Sequence, residues 1–179
     1  MRQYKSKRAP FMVIVHPNIV IILDNVRSGH NVGSILRTAD GAGVSQVYCC
    51  GITPYPHIPG DSRAEHVIAS NTKEIRKTAL GAEETASIKY YNSSLEAIAE
   101  LKADAYPIYA LENKCDDVQD LFSFTPANKF ALILGSETDG ISPEVLKACN
   151  SVLEIPMRGH KNSLNVSVAA GISLYRLLS

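Results

Sequence analysis

Continuous apolar strands alternating with helix-like segments mark this chain as an α/β protein, with a mostly parallel sheet covered by helices on both faces. Short runs rich in β-branched residues recur along it, without the apolar–polar alternation of a sheet that has one wet face. Segments of helical periodicity separate the runs, the pattern that builds parallel sheets. The 179 residues suit a single domain that buries a continuous core without metals or disulfide staples.

Taken in order, residues 1–17 read as a basic tail: Arg2, Lys5, Lys7 and Arg8 lie in it with no acid among the first eight residues. The apolar run 11–15 that follows stops at His16-Pro17, too short for a secretory signal. The first strand is IVIIL at 19–23 and the first helix spans 31–42. VSQVYCC at 44–50 is the next strand, followed by a helix at roughly 61–80. Ser93 and Glu96 form a capping box that opens a helix over 93–103. YPIYAL at 106–111 and FALIL at 130–134 are strands. Ser142, Pro143 and Glu144 place a cap, a first-turn proline and an acid at the start of a helix over 142–150. SVLEIPM at 151–157 is the last strand. The final helix, Val166 to Leu178, is apolar around most of its circumference and needs cover from its own sheet and from a second subunit. Its small residues Ser167, Ala170, Gly171 and Ser173 let another backbone come close.

Composition narrows the function classes. Lys plus Arg and Asp plus Glu number 18 each, so no net field steers the protein toward polyanions and any nucleic-acid binding must come from a local patch. Apolar content of 45% and charged content of 20% are ordinary for a globular chain. No run approaches membrane-spanning length. Cys49, Cys50, Cys115 and Cys149 form no CxxC pair, so reduced, buried thiols are expected and no metal site. The expected location is the cytoplasm.

In open α/β sheets ligands bind beyond the carboxyl ends of the strands, so the residues after each strand are the candidate site. After IVIIL, Gly29 and Gly33 flank Asn31 near a helix start, with Arg37 six residues on; alone, this reads equally as an ordinary strand-to-helix turn with a surface arginine. GAGVSQ at 41–46 has the glycine content of a dinucleotide fingerprint in the wrong context, ending a helix and preceding a strand. After FALIL, Gly135 and Gly140 permit close backbone approach, and Glu137 stands at the strand's mouth, where a carboxylate is seldom placed for packing. After SVLEIPM, Ser163 and Asn165 precede the last helix, where either can serve as its cap.

Together these three loops closely resemble the SpoU (TrmH) family of RNA ribose 2′-O-methyltransferases, within the SPOUT superfamily. NVGSILRTADGAG resembles the first family motif through Asn31, Gly33, Arg37, Ala39 and Gly43, LILGSETDGIS the second, and IPMRGHKNSLNVSVAAGISLY the third, in the family's order and spacing. The resemblance covers residues 18–179, read as one SPOUT methyltransferase domain. It implies a C-terminal deep trefoil knot, with the segment from Ser163 onward threaded through a loop. It implies S-adenosyl-L-methionine as cofactor, contacted by Leu111, Gly135, Ser136, Ile155, Met157, Ser163 and Leu164. Apolar walls with backbone donors and acceptors suit an adenine ring. The reaction it implies moves a methyl group from a sulfonium to a ribose 2′-oxygen by in-line displacement. Arg37 is then the central catalytic residue, with Asn31, Glu137, Ser163 and Asn165 supporting it. The family role of that arginine as general base is costly, because a guanidinium gives up its proton reluctantly; binding the adjacent phosphate bidentately is the alternative. The resemblance further implies a homodimer with the last helix at its interface.

Family substrates are transfer and ribosomal RNA. The short segment before residue 18 leaves no room for a separate RNA-binding domain, which points to transfer RNA, with ribosomal RNA as the alternative. GITPYP at 51–56 and KTALGAEE at 77–84 look like the TrmH branch. Lys73, Arg76 and Lys77 are candidates for a phosphate-binding face. Among rival readings, a non-catalytic RNA-binding module must explain why all the motif residues are present. A nicotinamide-dependent oxidoreductase is disfavoured by the misplaced glycines, and a hydrolase by the lack of a G-x-S-x-G elbow.

Overall fold

A computed structural model describes residue 16, residues 18–113, residue 115 and residues 117–179; the basic residues Arg2, Lys5, Lys7 and Arg8 lie outside the described residues. The chain forms β1 (Ile19–Asp24), α1 (Gly29–Gly41), β2 (Gln46–Cys50), α2 (Glu65–Ala79), α3 (Ala82–Thr85), β3 (Ser87–Tyr91), α4 (Ser94–Ala103), β4 (Ile108–Leu111), β5 (Gln119–Asp120), β6 (Phe130–Leu134), α5 (Pro143–Ala148), β7 (Ser151–Glu154) and α6 (Val166–Leu177). Among the described residues, seven strands make one sheet in the order β3-β2-β1-β6-β4-β7-β5. All six pairings are parallel, for example Ile21 against Val47 on one side and Leu132 on the other.

The uninterrupted apolar runs are explained by burial on two sides. Every residue of β1 and of β6 is buried. Ile19, Ile21 and Leu23 pack with α1, α2 and α6 on one face, while Val20 and Ile22 pack with α4 and α5 on the other. Successive side chains of a strand point to opposite faces, so a strand buried on both must be apolar throughout.

Two strands escape the apolar-run rule, and both lie at sheet edges. β3 is largely exposed, with Lys89 among its residues, and β5 is two exposed polar residues paired with β7. Helix bounds differ from the sequence expectation by up to four residues. α1 begins at Gly29, two residues earlier than expected, because the Ser28 side chain accepts from the Asn31 amide. α2 begins at Glu65, since 55–63 form a loop pinned by Arg63, whose guanidinium donates to Asp61 and to the carbonyls of Tyr55 and Pro56. The helices expected from Ser93 and Ser142 have those residues as N-caps. Within the expected phosphate-binding face, exposed Arg76 donates to Glu83 at 2.9 Å and Glu84 at 2.7 Å, both of α3.

Strand order reverses at the centre of the sheet. From β1 the chain proceeds outward through β2 to β3 and then crosses to the other half, so β1 and β6 flank the switch point. Ligand crevices in open α/β sheets open there, at the carboxyl ends of the strands.

Candidate functional site

A cavity of about 360 Å³ lies at the carboxyl ends of β4, β6 and β7 and is closed by the start of α6. That volume falls within the range of small-molecule sites. Leu111, Leu134, Ile155, Met157, Leu164, Val166 and Ala169 give it apolar walls, and Glu112, Asn113, Ser136, Glu137, Ser163 and Asn165 supply polar groups. This combination suits a ligand with one flat apolar part and several hydrogen-bonding edges, such as a nucleoside derivative. All seven residues expected to contact the cofactor, Leu111, Gly135, Ser136, Ile155, Met157, Ser163 and Leu164, line it.

The β6–α5 loop forms one wall through a tight turn. Ser136 Oγ accepts from the amides of Thr138 and Asp139, and the Gly140 amide donates to the Ser136 carbonyl at 3.1 Å. Gly135 is required by proximity, since a Cβ there would sit 2.6 Å from the Gly140 carbonyl carbon. Gly140 is required by conformation, with φ of 71°.

Beside the cavity runs a chain of side chains that draws three distant segments together. Asn31 Nδ2 donates to Glu137 Oε1 at 2.6 Å, and Asn165 Nδ2 donates to Asn31 Oδ1 at 3.1 Å. Asn165 Oδ1 in turn accepts from the Ser167 amide at 2.9 Å and from its hydroxyl at 2.6 Å. The carboxylate fixes this polarity: an ionised Glu137 only accepts, so Asn31 turns its amide nitrogen toward it and its oxygen toward Asn165. Asn165 therefore caps α6 and also reaches α1.

Glu137 stands at the amino end of α1, where its Oε2 also accepts from the Arg27 amide at 3.1 Å. Partial burial would raise its pKa, but hydrogen bonds from Asn31 and from the backbone of Glu137 itself, Arg27 and Ser28 outweigh it and hold the carboxyl below its ordinary value. Anionic groups are further favoured at a helix amino terminus. Asp139 accepts from the Arg27 guanidinium at 3.0 Å, an exposed pair spanning the same two loops.

Asn31 and Arg37 are the two candidate residues that do not line the cavity. Asn31 is joined to it through Glu137 and Asn165. Arg37 lies about 9 Å further along α1 at 1.5 Å per residue; it is exposed and makes no hydrogen bond or ion pair with the described residues. Glu112 and Asn113 were missed in the sequence. They follow Leu111 directly, and the rule that selects residues beyond each strand's carboxyl end would have found them. Leu134, Val166 and Ala169 carry no such mark, being indistinguishable from core residues until the cavity is seen.

A model of the SpoU rRNA Methylase family matches residues 18–175. Among curated proteins, the 23S rRNA (guanosine-2′-O-)-methyltransferase RlmB of Haemophilus ducreyi is 32% identical over 160 residues, covering 89% of this chain and 59% of that protein. The chain thus spans less than two thirds of the length of that relative. Among solved structures, the A. aeolicus TrmH/SpoU tRNA modifying enzyme is 27% identical with a TM-score of 0.71, over 90% of this chain and 74% of that one. An AdoMet-bound rRNA methyltransferase from Sinorhizobium meliloti shares the fold at 23% identity and a TM-score of 0.72, over 92% of this chain and 57% of that one. With sheet order, cavity and the three motif loops all falling within the matched span, the chain belongs to the SpoU rRNA Methylase family.

Proposed function

We propose that this protein transfers a methyl group from S-adenosyl-L-methionine to a ribose 2′-hydroxyl of structured RNA. The observation that carries the reading is the Glu137–Asn31–Asn165 chain, which runs beside a nucleoside-sized cavity, with Arg37, unpaired among the described residues, on the same helix as Asn31. The fold neighbour from Sinorhizobium meliloti is AdoMet-bound, and the Haemophilus ducreyi relative is named as a guanosine 2′-O-methyltransferase of 23S rRNA. That relative makes ribosomal RNA the first pool to test, with transfer RNA the second.

The cofactor supplies an electrophilic methyl carbon on a sulfonium. The residues of the chain account for the rest. Leu111, Ile155, Met157 and Leu164 line the cavity and would bury the faces of the adenine, while main-chain groups around Gly135 and Leu164 would satisfy its edges. Arg37, which makes no hydrogen bond or ion pair with the described residues, grips a phosphate beside the target nucleotide through two of its guanidinium nitrogens and sets the ribose at attack distance. Glu137 is held ionised and so is weakly basic; it orients Asn31 rather than taking a proton. With cofactor and RNA bound, the ribose oxygen would take the methyl carbon as the carbon–sulfur electron pair returned to sulfur, and the hydroxyl proton would pass to solvent.

Two parts of the family pattern belong to the same proposal. β7 lies between β4 and β5, and residues 121–129 return from the sheet edge to β6. Leu121 and Phe124 pack on the face that α6 covers, an arrangement consistent with α6 threading a deep trefoil knot. α6 also leaves Val168 50% and Tyr175 59% exposed, an apolar face suited to a second copy in a homodimer; a protein that stays monomeric at micromolar concentration overturns that part. Cys49 and Cys50 are buried thiols outside any disulfide, in accord with work in the reducing cytoplasm, and no helix among the described residues is long and apolar enough to cross a membrane.

The test is transfer of labelled methyl to separated pools of unmodified ribosomal and transfer RNA, with digestion to locate the label. Label on ribose that disappears in Arg37→Ala supports the reading and names the RNA; label on a base, or none in either pool, overturns it.

A further inference from the structure

The Glu112–Asn113 step at the end of β4 is unusual in touching both loops that frame the cavity. Glu112 Oε2 accepts from the Ile141 amide at 3.0 Å and Oε1 accepts from the Asn113 amide at 2.8 Å. The Glu112 amide donates to the Leu153 carbonyl of β7 at 3.0 Å. Asn113 Nδ2 donates to the carbonyl of Asn162, one residue before Ser163 and Leu164 of the cavity wall. One strand end thus holds the β6–α5 loop with one side chain and the β7–α6 loop with the next.

The packing around Glu112 accounts for two glycines. A Cβ on Gly140 would collide with Glu112 Oε2, and a Cβ on Gly135 would meet the Ile141 side chain at 2.6 Å. Gly135, Gly140 and the Glu112 carboxylate therefore form three touching layers, and the place of Ile141 relative to the cavity follows from where that carboxylate stands. A carboxylate is the group this position needs. Each of its two oxygens accepts a backbone N–H, whereas an amide offers one oxygen and turns its NH2 toward the second donor.

We propose that Glu112 and Asn113 are positioning residues for cofactor binding, holding the two cavity loops at the separation that S-adenosyl-L-methionine requires. The inference rests on the methyltransferase reading and adds to it residues outside the three family motifs. Because both act on the cofactor loops and neither reaches Arg37, they govern cofactor affinity and leave RNA recognition alone.

The experiment titrates S-adenosylhomocysteine into the full chain by calorimetry and measures KM for cofactor and RNA separately. Glu112→Gln is expected to bind roughly tenfold more weakly, the order of one lost hydrogen bond to a charged acceptor, with KM for RNA unchanged and turnover restored at saturating cofactor. Glu112→Asp keeps the charge but falls short of Ile141, and is expected to weaken binding as much. Asn113→Ser, outside the sheet, provides the independent variant if changes at Glu112 impair folding, and is expected to weaken cofactor binding several-fold. If the wild-type chain fails to bind S-adenosylhomocysteine, the functional reading falls and this inference with it. If the wild type binds and the variants bind within twofold of it, or if KM for RNA rises in step with KM for cofactor, the inference alone is overturned.

Discussion

Asn165 offers a test in which stability and activity should part. Its Oδ1 caps α6 through the Ser167 amide at 2.9 Å, while its Nδ2 holds Asn31 at 3.1 Å. Asn165→Ala removes both contacts. Loss of an N-cap costs about 1 kcal/mol, which for a domain of this size lowers Tm by roughly 2–4 °C. Asn165→Asp keeps the capping oxygen, since Asp and Asn cap about equally, and adds a negative charge at a helix amino terminus, a gain of about 0.3–1 kcal/mol. Against this stands the lost donor to Asn31, a bond contributing at most about 1 kcal/mol at so exposed a site. The terms nearly cancel, and the Tm of Asn165→Asp should stay close to that of wild type. Activity should not. The new carboxylate faces the Asn31 oxygen, and a single amide nitrogen cannot serve carboxylates on two sides, so Asn31 releases either residue 165 or Glu137. A misplacement equivalent to about 1.4 kcal/mol lowers turnover tenfold, and at least that loss is expected in the methyl-transfer assay, with differential scanning fluorimetry run in parallel. If Asn165→Asp turns over at the wild-type rate, Asn165 does not orient Asn31; if it loses as much Tm as Asn165→Ala, the capping argument fails.

Arg37→Ala should leave thermal stability within about 0.5 kcal/mol of wild type, as for a surface substitution unpaired among the described residues, while methyl transfer is lost; Arg37→Lys, which cannot make a bidentate phosphate contact, should also fall well below wild type, and full activity in it would refute the phosphate role. Gly33→Ala should destabilise despite gaining up to about 1 kcal/mol of helix propensity: the new Cβ collides with the Ile75 carbonyl and Thr78 Oγ1 and lies 3.0 Å from the Ala79 amide, and forced overpacking costs about 1–3 kcal/mol; an unchanged denaturation midpoint would show that α1 and α2 separate freely. The pKa of Glu137 is held below its unfolded value, so its contribution to stability is present above the ordinary carboxylate range and is lost as pH falls through the depressed folded value. A denaturation series from neutral pH downward should therefore show a smaller acid loss in Glu137→Gln than in wild type, and identical profiles would count against the hydrogen-bonded carboxylate.

The fold class was legible because it follows from burial alone. IVIIL and FALIL have no polar residue to turn toward water, which only a sheet covered on both faces permits. The motif loops were legible because ligand-binding residues follow strand ends, and a close backbone approach leaves glycines at 135 and 140. Edge strands β3 and β5 were not legible, since a strand with one neighbour can be polar and its pairing depends on a partner elsewhere in the chain. Nor were the ion pairs of Arg76 with Glu83 and Glu84, since a charge alone does not name its partner. By itself the sequence determined which chemistry-bearing residues stand at strand ends and which segments must be buried. Only the tertiary structure decided that Asn31, Glu137 and Asn165 form one hydrogen-bonded chain and that Glu112 holds the β6–α5 loop that carries Glu137. Those contacts join residues 29 to 134 positions apart. Their geometry is set by the order of strands in the sheet, and no local pattern of residues encodes that order.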